Sequence, residues 1–166
     1  MPLSSLVRLL QTSALSGELC ERAQRDQRLL MRGAGRAARA LVASALARRM
    51  DQPLLVVVPT LEEAGRWAAL LELMGWSSAQ LYPTSEGSPY EPFDATTEIT
   101  WGQLQVLSEL QTDSRKSDVA IVATERCLQP HLPPPQALAE HCRALKKGDV
   151  VDLEELSTYL SQLGYR

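Results

Sequence analysis

Leu29-Leu30-Met31-Arg32-Gly33-Ala34-Gly35-Arg36-Ala37-Ala38-Arg39-Ala40-Leu41-Val42, residues 29–42, decides how the rest of the chain is read. An apolar run, Arg28 to Met31, leads to a turn at Gly33, and a segment rich in Ala, Leu and Arg follows from Ala37 to Met50. The pattern predicts a strand, a Gly-rich turn and a helix N-terminus. That is where a phosphate loop sits, but the loop needs G-x-x-x-x-G-K-[ST]: glycines for backbone N–H groups, Lys for the β/γ-phosphates and a hydroxyl for Mg²⁺. With Gly35 at the glycine before the Lys, Leu30 stands in place of the first glycine, Arg36 in place of the Lys and Ala37 in place of the hydroxyl. Ala cannot hold a metal, and the Arg fork does not replace Lys in so tight a loop. The sequence therefore predicts a degenerate phosphate loop without ATP hydrolysis. The plainer reading is that Gly33 and Gly35 merely turn a strand into a helix, since Gly-x-Gly alone says little.

Outward from this stretch, strand-like and helix-like pieces alternate. Leu54–Val58 is five consecutive apolar residues closed by Pro59, a pattern that predicts a strand buried on both faces. Thr60 and Glu63 have the spacing of a capping box. Leu61, Ala64, Ala68 and Leu71 then mark an apolar helix face, and Gly75 is placed to end that helix. Residues Ala79 to Tyr82 suggest a second short strand. Pro83 to Thr97 holds three prolines and no helical period, so it reads as a loop. Ile99, Val106, Leu107 and Leu110 resume helical spacing, and Val119-Ala120-Ile121-Val122 is a further buried strand. Pro133-Pro134-Pro135 makes a bend before a short helix from Gln136. Gly148-Asp149 makes a turn, and Asp152 caps a helix with Leu153, Leu156, Leu160 and Leu163 on one face. At the other end, Leu3, Leu6, Val7 and Leu10 predict a short amphipathic helix and not a signal peptide. Alternating strands and helices argue for an α/β fold with a parallel sheet and helices on its faces.

Composition sets bounds. The 166 residues are 45% hydrophobic and 22% charged, an ordinary globular balance that suits one domain and the start of another. Only one Phe is present, and the net charge is −3. A domain whose main task is to hold duplex DNA usually carries a basic footprint, and here there is none overall. Cys20, Cys127 and Cys142 form no CxxC pair, and the two His residues complete no zinc set. They read as reduced thiols of a cytoplasmic protein, and no apolar run approaches membrane-spanning length.

Other candidates favour ordinary roles. Glu62-Glu63 can be an acid–base pair, but a first-turn dipole and capping role is simpler. Asp94 and Glu98 flank the loop without a His or metal partner, and Asp113 and Asp118 bracket a polar turn. Arg36, Arg39, Arg48 and Arg49 suggest a basic helix face that is either solvated or turned to a partner or nucleic acid. No Ser/His/Asp or Cys/His constellation is present, so no catalytic residue and no metal ligand are assigned.

Five segments, in order, carry a family resemblance. RLLMRGAGRAARALVASALA and PLLVVVPTLEEAGRWAALLELM look like two successive strand–helix pairs. LYPTSEGSPYEPF, with Tyr82, Pro83, Glu86, Pro89, Tyr90 and Glu91, is the most specific piece. VAIVATERCLQPHLPPP and KKGDVVDLEELSTYLSQLGYR complete the set. Together they resemble the N-terminal, UvrB-homologous module of the bacterial transcription-repair coupling factors, the Mfd family. The resemblance spans about residues 15 to 166. It implies a RecA-like, P-loop-NTPase-like parallel sheet with a degenerate phosphate loop, plus the first helix of an inserted α+β domain. The implied division is an N-terminal helical segment at 1–25, the degenerate NTPase-like domain at 26–145 and the truncated UvrA-binding domain at 146–166.

The family's function enters only through this resemblance. The parent would be an ATP-dependent DNA translocase that displaces stalled RNA polymerase, using ATP and Mg in motor domains absent here. The present module would bind no cofactor, hydrolyse no ATP and recruit UvrA for nucleotide excision repair. Arg166 would be its UvrA contact, although Tyr165-Arg166 stands where the family has Tyr-x-Arg. RNA polymerase and DNA would be met by other domains, and the fragment would be a monomer. The chain stops just past Gly164, so the natural protein is expected to continue. The alternative is a UvrB-type excinuclease subunit or another active nucleotide-binding domain. Against it stand the lesions at Leu30, Arg36 and Ala37, and a loop from Tyr82 to Glu98 too short for a long aromatic hairpin.

Overall fold

The computed structural model describes residues 3–83, 96–112, 118–128, 132, 134–143 and 145–162. They fall into two units, Met1–His131 and Leu132–Arg166.

In the first unit, the helices begin where local chemistry allows. α1 (Leu3–Gln11) buries Val7. α2 (Ala14–Asp26) starts at Ser13, whose hydroxyl accepts from the Ser16 N–H, and stops at Gln27, which takes the left-handed conformation at φ 52°. α3 (Arg36–Arg49) buries Ala40, Ser44, Ala45, Leu46 and Ala47. After β1 (Leu54–Val58), α4 (Leu61–Leu73) opens with the Thr60 hydroxyl accepting from the Glu63 N–H. This is one half of the capping box that the Thr60/Glu63 spacing predicts; the Glu63 carboxylate goes to Arg36 and not back to the Thr60 N–H. Gly75, at φ +87°, takes the chain out of α4 toward β2 (Ser78–Leu81). α5 (Thr96–Thr112) and β3 (Val119–Thr124) follow, and a 3-10 turn spans Glu125–Leu128.

Among the described residues the sheet has three strands in the order β1-β3-β2, with both pairings parallel. Leu54 pairs with Ala120 and Val58 with Thr124; on the other side Ser78 pairs with Val119 and Leu81 with Val122. The Tyr82 N–H extends that ladder to the Val122 carbonyl at 2.8 Å. The last strand in sequence thus lies between the first two. Strand side chains alternate between faces. Val56, Val58, Ala120 and Val122 face α1, α3 and α4 and form the main core with Val7, Ala40, Ala64, Leu71, Met74 and Trp76. On the opposite face Ala123 and Ile121 pack with Val106 and Leu107 of α5, Tyr82 and Cys127. The fold is therefore mixed α/β, a small parallel sheet flanked by helices on both faces.

Two sequence expectations are corrected. Residues 28–31 are not a strand, because among the described residues no neighbour pairs with their backbone and a strand without a ladder is not stable. Arg28 and Arg32 are exposed, and Leu30 is 62% exposed. β1 is not buried on both faces either. It is an edge strand, α5 packs over β3 and not over it, and Leu55 and Val57 remain 55% and 44% exposed.

The second unit contains α6 (Pro135–His141), with Pro in its first turn, and α7 (Leu153–Gln162). Asp152 caps α7, its Oδ1 accepting from the Glu154 N–H at 2.9 Å and the Glu155 N–H at 3.2 Å. Arg143 stacks over Tyr159 at 4.3 Å and pairs with Glu155 at 3.2 Å.

Candidate functional site

The turn from Gly33 to Arg36 is built as its glycines require. Gly33 sits at φ +72°, a conformation that disfavours any residue with a Cβ. Gly35 is the N-cap of α3 and offers no side chain to it. The start of α3 lies beside the start of α4, because Arg36 and Glu63 join them. The Arg36 Nε donates to Glu63 Oε2 at 3.2 Å and its Nη2 to Oε1 at 2.5 Å. α4 leaves the carboxyl end of β1, so the turn sits at that end of the sheet. Open α/β sheets bind their ligands outside the carboxyl ends of the strands.

Each suspected loop position can be located. Leu30 projects into solvent, Ala37 is exposed in the first turn of α3, and Arg36 is half-buried in its ion pair. Arg39 closes the turn from the other side, its Nε donating to the Ala34 carbonyl at 2.8 Å. The turn is thus held by its own residues and by α4. Beside it runs an open groove of about 410 Å³ between α2 (Leu19, Arg22, Asp26) and residues 28–31, which the sequence reading did not foresee. It exists because residues 28–31 are unpaired, and pairing is not written in local sequence.

The four arginines expected on one basic face are mostly engaged. Arg48 donates its Nη2 to the Gly75 carbonyl at 2.5 Å and lies 5.1 Å above the Trp76 ring. Burial pushes its pKa below the ordinary arginine value, against the pull of Asp118 and with a smaller push from Arg8. Arg49 Nη1 reaches the Gln11 carbonyl at 2.7 Å and that of Ser13 at 3.3 Å. With Arg36 on Glu63 and Arg39 on Ala34, these guanidinium groups staple the fold together. The Glu62-Glu63 pair is likewise spoken for, since Arg66 pairs with Glu62 and lies 3.6 Å from Glu63.

Of the family-signature loop, Tyr82 and Pro83 are described. Tyr82 is 6% exposed, and its hydroxyl is buried without a hydrogen-bond partner. Burial raises its pKa above the usual tyrosine value, and the neighbouring Cys127 raises it further. The Cys127 thiol faces the carbonyls of Tyr82 and Pro83 at 3.6 and 3.9 Å, and Gln103 Nε2 donates to the Pro83 carbonyl at 2.9 Å. α5 and the 3-10 turn therefore grip the loop where it leaves β2. Glu86, Pro89, Tyr90 and Glu91 lie outside the described residues, as do Asp94, Asp113 and Arg166 and the side chain of Glu98. Cys20 and Cys127 are buried, Cys142 is exposed, and none is bridged. Among the described residues no group of three His, Cys, Asp or Glu side chains has metal-binding geometry, and no helix is long and apolar enough to cross a membrane.

Comparison with known proteins bears on what such an arrangement serves. Over 127 residues the chain is 29% identical to the transcription-repair-coupling factor of Haemophilus influenzae, a match that covers 76% of this chain. The chain resembles a transcription-repair-coupling factor. The resemblance to the coupling-factor family drawn from the sequence therefore holds. The matched stretch is 11% of the length of that coupling factor. No family model and no solved structure matches the chain.

Proposed function

We propose that this chain is a fragment of a transcription-repair coupling factor, a UvrB-like module that serves as a non-catalytic scaffold and recruits UvrA to sites of stalled transcription. The alignment with the Haemophilus influenzae coupling factor carries the reading. The parallel sheet flanked by helices suits a RecA-like relic, and in this reading the turn at Gly33–Arg36 ahead of α3 is what remains of its phosphate loop. Leu30, Arg36 and Ala37 lack the glycine, lysine and hydroxyl that nucleotide hydrolysis needs. In this reading ATP-driven displacement of RNA polymerase, and the DNA contacts that go with it, belong to other domains of the parent, which acts in the cytoplasm. The chain itself is a monomer.

Two experiments test this. Titration of the chain with MgATP should show neither micromolar binding nor turnover, and either would favour an active nucleotide-binding domain. A UvrA pull-down should compare this chain with one extended by about 60 residues, the size of a small additional domain. UvrA retained by the longer protein supports recruitment, and failure of both defeats it.

A further inference from the structure

We infer that Glu63 is an internal anion that occupies the Arg36 fork, so that polyphosphates are excluded by a contact from α4 and not only by what the loop has lost. The inference deepens the reading of residues 29–42 as a phosphate loop without function, and rests on it. Along its Nε/Nη2 edge an Arg guanidinium presents two parallel donors that match a carboxylate or a phosphate equally well. In this chain both donors of that edge are taken: Nε by Glu63 Oε2 at 3.2 Å and Nη2 by Oε1 at 2.5 Å.

The carboxylate is held where it stands. Its backbone N–H is bonded to the Thr60 hydroxyl at 3.2 Å, and Arg66 Nη1 lies 3.6 Å from Oε1. The pair is only about one-third exposed on each side, 37% for Arg36 and 31% for Glu63, so water screens it incompletely. An incoming polyphosphate would have to break a two-pronged pair and then sit beside the negative charge it had displaced. Arg39, whose Nε is on the Ala34 carbonyl, makes no bond to Glu63. Glu62, by contrast, is paired with Arg66 and makes no bond to Arg36. Two adjacent carboxylates of equal charge thus differ in whether they bond Arg36, which makes Glu62 the control.

The test is calorimetric titration of inorganic tripolyphosphate and of MgATP into the whole chain at low ionic strength. The variants are Glu63→Gln, Glu62→Gln and the double variant Arg36→Ala/Glu63→Gln. Wild type and Glu62→Gln are expected to bind tripolyphosphate weakly and alike, and to show no saturable binding of MgATP. Glu63→Gln should bind tripolyphosphate about tenfold or more tightly than Glu62→Gln, the worth of one charge-assisted pair, and the double variant should lose the gain. A Glu63→Gln protein that folds but binds no better than Glu62→Gln overturns the inference, as does a gain that survives loss of Arg36.

A second measurement needs no variant. Phenylglyoxal, which adds to free guanidinium groups, should label Arg36 in wild type more slowly than the exposed Arg28 and Arg32, as mapped by mass spectrometry. Equal labelling overturns the inference. The two readings separate cleanly. Wild type and Glu63→Gln binding alike defeats the lock alone, whereas MgATP turnover by wild type defeats the non-catalytic function as well.

Discussion

The indole Nε1–H of Trp76 donates to the Ser44 hydroxyl at 2.8 Å, and both residues are buried. The bond fastens the middle of α3 to the turn that follows α4, on the side of the sheet that holds the main core. Arg48, one turn further along α3, stacks on the same indole and binds the Gly75 carbonyl beside it. Ser44→Ala strands a buried N–H and should cost about 1–3 kcal/mol of stability. A double-mutant cycle with Trp76→Phe should return a coupling of about 0.5–1.5 kcal/mol, because the second change removes the stranded donor. Urea denaturation followed by circular dichroism measures both, and strict additivity would refute the coupling.

Two glycines near α4 should respond to alanine with opposite signs. Gly65 is exposed in the helix interior, and a Cβ there would touch nothing within 4 Å. Gly65→Ala should therefore stabilise by about 0.5–1 kcal/mol through helix propensity. Gly75 is at φ +87°, and its added Cβ would lie 2.9 Å from the Ser4 Cβ on α1. Gly75→Ala should destabilise by about 1–3 kcal/mol, with strain in the turn and displacement of α1 acting together. Thermal melts of the two variants should move in opposite directions from wild type.

Arg49 tests whether these arginines are staples or a basic face. Its Nη1 reaches two carbonyls, those of Gln11 and Ser13, where α1 gives way to α2. Lysine keeps the charge but cannot reproduce the planar fork. Arg49→Lys should lower stability by up to about 1 kcal/mol, the site being solvent-exposed. Its elution from a heparin column should stay where wild type elutes. A shift in elution with unchanged stability would restore the basic-face reading.

What the sequence made legible was local. Leu54–Val58, Val119–Val122 and the caps at Thr60 and Asp152 are where periodicity and spacing put them, because each depends on residues within a turn or two. What it hid was pairing. The apolar run 28–31 has the look of a strand, yet a strand exists only against a neighbour, and none among the described residues takes it up. Leu54–Val58 reads as doubly buried, but its place at the edge of the β1-β3-β2 sheet exposes Leu55 and Val57. At the candidate site, the turn from Gly33 and Gly35 into the helix at Arg36 was legible. The Arg36–Glu63 contact was not, because Glu63 lies 27 residues from Arg36 and its local spacing announces only a cap. The groove beside α2 was hidden for the same reason as the missing strand.

Tyr82 offers a test that separates packing from polar bonding in the second core cluster. Its ring lies among Val106, Ala123 and Cys127, while its hydroxyl is buried without a partner. An unpaired buried hydroxyl costs stability, so Tyr82→Phe should be neutral or slightly stabilising at pH 7. The same burial raises the tyrosine pKa in the folded chain above its unfolded value. Below that unfolded value, near 10, both states hold the phenolic proton, and the shift has no effect on stability. As pH climbs past it, the unfolded chain releases the proton while the folded chain retains it. Stability then falls, by up to about 1.4 kcal/mol per pH unit, until the folded value is reached. Tyr82→Phe removes this loss and leaves every other alkaline titration in place. Urea midpoints of the two proteins measured at pH 8 and at pH 10.5 should therefore diverge at the higher pH, with the variant the more stable. Parallel pH dependence in the two proteins would mean that Tyr82 is not held neutral by its burial.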